Sequence, residues 1–551
     1  MLRLTELRLP LTHAPGELRS AICERLSVAD AQLLSFTIFK RSYDARKKSA
    51  VQLIYTIDCE LRDEAPTLQR MRSATVRETP DMRYRFVGHA SAAGAAGPRP
   101  LVIGFGPCGI FAALILAQMG LRPIVLERGR AVRERTKDTW GLWRQGVLDP
   151  ESNVQFGEGG AGTFSDGKLW SQISDPRYLT RKVLTEFVKA GAPQEILYVA
   201  KPHIGTFRLV GMVEKMRAEI VSLGGEVRFE QRVVDLAIQG GRLRGVTLAS
   251  GEQLDAEHAV LALGHSARDT FAMLHERGVF MQPKPFSIGV RIEHPQSIID
   301  AARFGPNAGN PILGAADYKL VHHAGNGRAV YSFCMCPGGT VVAATSETGR
   351  VVTNGMSQYS RNERNANAGL VVGIDPQDYR QDGRRDGPVH PLDGIAFQRH
   401  WESRAFELGG GRYEAPGQLV GDFLQGCASS AVGGVAPSYQ PGVRMTDLAA
   451  PGRPGLPDYV IAALREALPA FERQIRGYSM ADAVLTGVET RTSSPLRITR
   501  GHDFQSLNVR GLYPAGEGAG YAGGIMSAGV DGIEVAEALA REMLGRVAAA
   551  T

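Results

Sequence analysis

The chain has 551 residues, 43% hydrophobic and 22% charged, enough apolar material for more than one cored domain. Its 63 basic and 57 acidic residues leave a net charge of +6, too small and too dispersed to point to a nucleic-acid or anionic-membrane partner. Six scattered cysteines, a start (MLRLTELRLPLTH) without a long apolar h-region, and apolar runs no longer than Phe111 to Leu116 or Ala259 to Leu263 predict a cytoplasmic chain without a membrane span.

Residues 1–88 read as a small α/β module. LRLTELRLP, QLLSFTIFKRSYD and SAVQLIYTIDCEL have strand alternation, and APGELRSAICERLS is helical. The basic turn KRSYDARKKSA reads as a solvated hairpin tip, with a contact to RNA or phosphate as the alternative. A linker is placed at 89–100, in HASAAGAAGPRP.

RPLVIGFGPCGIFAALILAQMGLRPIVLERG follows. Strand PLVIG runs into Gly104, Gly106 and Gly109, a helix carries Ile110 to Met119, and strand PIVLE ends at Glu127. This is a complete βαβ dinucleotide unit, in which glycines permit a tight turn and close approach of a pyrophosphate to the helix N-terminus. Glu127 is placed to accept hydrogen bonds from the adenosine ribose. The meander EVRFEQRVVDLAIQGGRLRGVTLASGEQL and the strand HAVLALG complete a first dinucleotide segment at 101–270. An inserted α+β substrate or cap domain is expected at 271–478, with the cofactor domain resuming at 479–551.

The last segment contains GLYPAGEGAGYAGGIMSAGVDG. A strand ends in Glu517, and a helix begins just after Gly523 and Gly524. An acid there can hold ribityl hydroxyls, and a helix N-terminus favours negative charge on a reduced flavin. The split site therefore predicts FAD, with the glycines letting backbone lie against the flavin. No second βαβ unit of this kind follows, so a dedicated NAD(P)H domain is not expected.

Six stretches, VIGFGPCGIFAALILAQMG, NVQFGEGGAGTFSDGKL, FSIGVRIEHPQ, SFCMCPGGTVV, GVETRTSSPLRI and the final glycine segment, resemble those of the bacterial FAD-dependent dehydrogenases, also called NAD(P)/FAD-dependent oxidoreductases. The resemblance covers nearly the whole chain. It implies an α/β fold: an FAD-binding doubly wound, Rossmann-like domain of the glutathione-reductase type, carrying the insert and the N-terminal module. It adds Arg128 at the adenosine end, Val233 as a backbone contact to adenine, and Gly516 and Ile525 beside Glu517, Gly523 and Gly524 at the ribityl and isoalloxazine end. The loop Phe156 to Leu169 is similar to loops lying over pyrophosphate and flavin, with Gly160, Gly162 and Thr163 as donors and Lys168 near flavin N5 or a substrate anion.

Two further motifs carry candidate chemistry. In GVETRTSSP, Arg491 can clamp a substrate carboxylate or phosphate, or form a structural ion pair with Glu489 or another acid. Cys334-Met335-Cys336 does not suit zinc, because too few ligands accompany it. A disulfide between residues two apart in an extended strand is disfavoured, since the side chains stand about 7 Å apart. Redox exchange with flavin needs a loop conformation there, and buried small side chains under a turn are the alternative. Arg491, Cys336 and Lys168 are thus the catalytic candidates, with no metal. The function expected is hydride transfer between a small-molecule substrate and flavin N5, with NAD(P)H or another carrier as electron partner. The alternatives are an RNA-modifying flavoenzyme and a non-enzymatic FAD-holding assembly or sensor protein.

Overall fold

The computed structural model describes residues 1–71, 74–90, 98–380 and 387–550, so most of the expected linker, 91–97, lies outside the described residues. The N-terminal module is an antiparallel sheet in the order Leu33–Asp44, Gln52–Leu61, Leu2–Pro10, Val76–Glu78, with helix Glu17–Leu26 against it. In Gln52–Leu61, Leu53, Tyr55, Ile57, Cys59 and Leu61 alternate into the core, as period-2 geometry requires. Its hairpin is stitched to the other domains: Arg41 N–H donates to Tyr198 O at 2.6 Å, and Asn307 Nδ2 donates to the Lys48 carbonyl at 2.6 Å.

A five-stranded parallel sheet follows in the order Leu512–Pro514, Ala259–Leu261, Leu101–Ile103, Ile124–Leu126, Glu226–Arg228. The chain starts in the middle, builds to one side through Glu226–Arg228, and returns to the other side. A crevice therefore opens between Leu101–Ile103 and Ala259–Leu261, the switch point where ligands bind in doubly wound sheets. Helix Pro107–Gln118 is buried all round, as a helix covered on both faces must be, because the last helix, Ile525–Ala550, lies across it. At Gly532 an added Cβ would stand 2.3 Å from Cys108 O, so the backbones touch without an intervening side chain.

The meander forms a three-stranded sheet, Val233–Gln239, Arg242–Leu248 and Gln253–Asp255. The insert is built on a mixed sheet centred on Ala329–Ala343, Asn365–Ile374, Phe286–Pro295 and Val484–Glu489. Phe286–Pro295 is buried on both faces. The chain enters and leaves side by side, Met281–Pro283 pairing with Leu496–Ile498. The insert thus spans Phe286 to Glu489 rather than 271–478: helix Arg268–Glu276 packs Phe271 and Leu274 into the meander's core, and VLTGVE pairs with Phe286–Pro295. An apolar six-residue strand fits either sheet, and only its long-range partner decides. No helix among the described residues is long and apolar enough to cross a membrane.

The close helix crossing sets a test. Gly532→Ala is expected to lower unfolding free energy by about 1–3 kcal/mol in urea titration, the usual penalty of overpacking. Gly545→Ala, in the same helix with no atom within 4 Å, is expected to be neutral or stabilising by up to about 1 kcal/mol.

Candidate functional site

The crevice is shaped by backbone meeting backbone. Gly104 turns the chain at φ +99°, and a Cβ there would stand 2.3 Å from Ala262 O on the neighbouring strand. One helical turn on, a Cβ at Gly109 would stand 2.0 Å from Gly104 O. Gly109 therefore holds the helix against the turn, and it does not itself line the cavity. Gly106 N-caps the helix and touches Gly160, whose would-be Cβ lies 2.8 Å from Gly106 Cα.

Glu127 is buried, and its carboxylate accepts three backbone N–H groups: Phe105 at 2.8 Å, and Gly129 and Gly157 at 2.9 Å each. A carboxylate has about four lone-pair sites, so one is left to accept a further hydrogen bond. Arg128 is held between Glu151 at 2.9 Å and Asp269 at 2.9 Å, over the ring of Phe156. It lines the cavity with Val233.

At the other end stand Gly516, Glu517, Gly523, Gly524 and Ile525. A Cβ on Gly162 would meet Ile525 Cγ1 at 2.9 Å, so the loop over residues 156–169 seals against the start of the last helix. Burial pushes the Glu517 carboxyl up to about 7, with Lys284 opposing and Cys334 reinforcing the shift. Thr163, within the loop, has its Oγ1 2.1 Å from a would-be Gly159 Cβ and is not in the cavity wall. Both ends belong to one cavity of about 760 Å³, which continues along the insert past Tyr331, Phe333 and Asn354. That is ample for a dinucleotide-sized ligand.

The three catalytic candidates are placed differently. Arg491 reaches the cavity wall, but its guanidinium is engaged: Nε and Nη2 donate to Glu402 at 3.0 and 2.9 Å, and Nη1 donates to Ser266 and Ser346 at 3.0 and 2.8 Å. Four of its five N–H donors are used. The structure thus has the structural ion pair of the two sequence readings, with Glu402 of helix Asp393–Leu408 as the acid, while Glu489 pairs with Arg291 at 2.7 Å. Arg268 shares Glu402 at 2.6 Å and also bonds Glu347. Lys168 lines the cavity and donates to the Met335 carbonyl. Cys336 is fully buried behind the wall, and Cys334 faces the cavity instead. The extended-strand premise fails here, because Cys334 has φ +41° and the ladder slips at this point.

Sequence reasoning passed over His265. It stands four residues beyond the end of strand Ala259–Leu261, at the carboxyl edge where ligands sit in such sheets, and it lines the cavity. Burial, with Arg491 and Arg268 beside it, lowers it to about 3, so it is a neutral imidazole at physiological pH. The GHS that follows the strand was the available signal. Arg291, fully buried and bonded to Glu489, Asn367, Asn354 and the Cys334 carbonyl, had no local signal at all.

Fold and cavity define a doubly wound, FAD-binding type of domain carrying an inserted sheet domain. Residues 285–492 match a family model described as "FAD-dependent protein, C-terminal domain-like", and residues 1–60 match a domain of unknown function. An uncharacterized protein of Clostridium beijerinckii is 46% identical over 537 residues, covering 97% of this chain and 98% of that one. The chain belongs to one family with that protein, and the domain at 285–492 marks it as a family of FAD-dependent proteins. Among solved structures, L-proline dehydrogenase from P. horikoshii superposes with TM-score 0.33 at 14% identity over 83% of this chain and 95% of that one. Glycine oxidase from Bacillus cereus does so with TM-score 0.29 at 10% identity over 82% and 96%.

Burial opposes the charge on Glu402, but Arg268 and Arg491 outweigh it and hold its carboxyl well below the usual range. Its contribution to stability is therefore full above the ordinary glutamate value of about 4.3, and is lost as pH falls through the lowered one. Glu402→Gln is expected to lower unfolding free energy at neutral pH by about 3–5 kcal/mol, since two buried arginines lose their shared carboxylate. The variant's urea midpoint should also fall less steeply than the wild type's below about pH 4.3.

Proposed function

We propose that this chain is an FAD-dependent oxidoreductase that passes two electrons between the cofactor and a small substrate held at the seam with the inserted domain. The observation that carries the reading is the single cavity joining the Gly104–Gly106 turn, the Gly523–Ile525 segment and the insert's Tyr331, Phe333 and Asn354. The residues fit the cofactor: at Gly523 and Gly524 an added Cβ would meet no atom within 4 Å, so the cavity runs directly against bare backbone. FAD, when bound, supplies the two-electron carrier that would exchange with the substrate.

Gly104, Gly106 and the N-terminus of helix Pro107–Gln118 would hold the pyrophosphate. Glu127, with Arg128 and Val233 nearby, would hold the adenosine end, and Gly516 and Glu517 the ribityl chain. The N-terminus of Ile525–Ala550 favours negative charge on whatever group lies before it. On the substrate side, neutral His265 offers one ring N–H or one lone pair, and Lys168 adds a positive charge. Arg491 acts as a positioning residue, holding Ser266, and through it the His265 ring at 2.9 Å, against Glu402. NAD(P)H or another small carrier would exchange electrons over the same cavity.

The purified chain is expected to be yellow and to release FAD on heating, identified by chromatography. A chain that neither contains nor binds flavin would sink the reading. Gly523→Leu should lower FAD affinity at least about tenfold, about 1.4 kcal/mol, while leaving the melting temperature of the flavin-free chain unchanged. Anaerobic stopped-flow mixing with NADH and NADPH then assigns the electron partner: fast bleaching of the flavin band by one of them makes it the donor, and bleaching by neither points to an organic donor.

A further inference from the structure

Cys334-Met335-Cys336 lies in strand Ala329–Ala343, where pairing with Asn365–Ile374 slips twice, between Phe333 and Cys336 and between Cys336 and Gly339. Cys334 is left-handed at φ +41°, a conformation uncommon for a residue with a side chain. Cys336 Sγ lies 3.3 Å from the Cys334 carbonyl oxygen, so the Cys336 side chain folds back toward Cys334 instead of standing two residues off along an extended strand. The bulge is pinned from both sides, with Lys168 Nζ donating to the Met335 carbonyl and Arg291 Nη1 to the Cys334 carbonyl at 3.0 Å.

The two sulfurs occupy different surroundings. Cys334 is in the cavity wall and Cys336 is fully buried behind it. The neighbouring Cys336 side chain, with Lys168 and Arg291 nearby, holds the Cys334 thiol below its ordinary range against burial and Asp166. The Cys334 side chain, together with burial, pushes the Cys336 thiol above its ordinary range. A thiol in a cavity wall with a second thiol folded back behind it is an arrangement that thiol–disulfide chemistry can use.

We propose that Cys334 and Cys336 form a reversible dithiol–disulfide couple in the cavity wall, a second two-electron centre beside the flavin. On oxidation two S–H bonds break, one S–S bond forms, and two electrons and two protons leave for an acceptor of the isoalloxazine class. The reverse reaction takes two electrons and two protons from the reduced acceptor. The identity of that acceptor rests on the FAD reading; the couple itself does not.

The test uses the full chain, with and without added FAD, poised anaerobically in glutathione and dithiothreitol redox buffers, acid-quenched, alkylated and digested with trypsin. Both cysteines fall in the tryptic peptide spanning residues 329–350. That peptide is expected to pass from doubly alkylated to unalkylated, two hydrogens lighter, in a single two-electron transition. The peptides of Cys23, Cys59, Cys108 and Cys427, all free thiols elsewhere in the fold, should stay alkylated. Anaerobic dithionite titration of the flavin-loaded chain, pre-oxidised with diamide, should take up four electrons per flavin, and Cys336→Ser only two. Alkylation of both cysteines at every potential, or a glutathione adduct on Cys334 with no internal disulfide, would overturn the proposal. A chain that binds no flavin but shows the peptide transition would overturn the FAD reading and keep the couple.

Discussion

The glycine-rich seam depends on a buried anion and a buried cation that share one loop. Glu127 gathers the N–H groups of Phe105, Gly129 and Gly157, tying the turn after the first strand, the turn after the second strand and the loop to one carboxylate. Arg135, also buried, donates to the carbonyls of Asn153, Val154 and Glu158 at 2.8, 2.8 and 2.7 Å. Burial lowers its guanidinium only to about 10, so it stays charged at neutral pH. Residues 153–158 are thus held by the Gly157 amide on one side and by three carbonyls on the other. Buried backbone groups are costly to leave unpaired, and these two side chains satisfy six of them, four in a segment without regular structure. A Cβ at Gly157 would stand 2.4 Å from Arg135 Cδ, so the loop backbone packs directly on the Arg135 side chain.

The second half of the cavity is fastened by charge across the domain boundary. Arg268 begins a helix of the cofactor domain, Glu402 lies on an insert helix, and Arg491 lies where the chain leaves the insert. The two arginines share the Glu402 carboxylate at 2.6 to 3.0 Å. A buried ion cluster is weak evidence for stability, but breaking one leg is severe, so it fixes how the insert sits over the crevice more than how firmly either domain folds. Arg291 and Glu489 repeat the device within the insert, and Arg291 reaches across Asn365–Ile374 to the bulged strand's Cys334 carbonyl.

Elements whose signal is local were legible in the sequence. The strand, glycine turn, helix and acid from Leu101 to Glu127 each obey a short-range rule, and so do the meander and the final glycine segment. What was not legible depends on partners far along the chain. Arg491 neighbours Glu489 in sequence, yet meets Glu402, 89 residues away. Val484–Glu489 reads as a strand in either sheet until its pairing with Phe286–Pro295 is known. Glu127 looks like a ribose acceptor by its place, but three of its lone-pair sites go to amides that no spacing rule identifies.

The bulged strand shows how such a partner leaves a faint trace. Pro337-Gly338-Gly339 follows the cysteines, and Gly338 at φ +42° would bring a Cβ within 1.8 Å of Arg361 O. The strand breaks its ladder because another segment occupies that space, and bulges of this kind concentrate beside functional sites. Arg361 in turn pairs with Asp166 at 2.5 Å, two residues before Lys168, which holds the Met335 carbonyl. The cofactor domain's glycine-rich loop and the insert's cysteine-bearing strand are therefore tied at two points into one unit. A displacement of the loop would be felt at the bulged strand, and a displacement of the strand at Asp166 and Lys168.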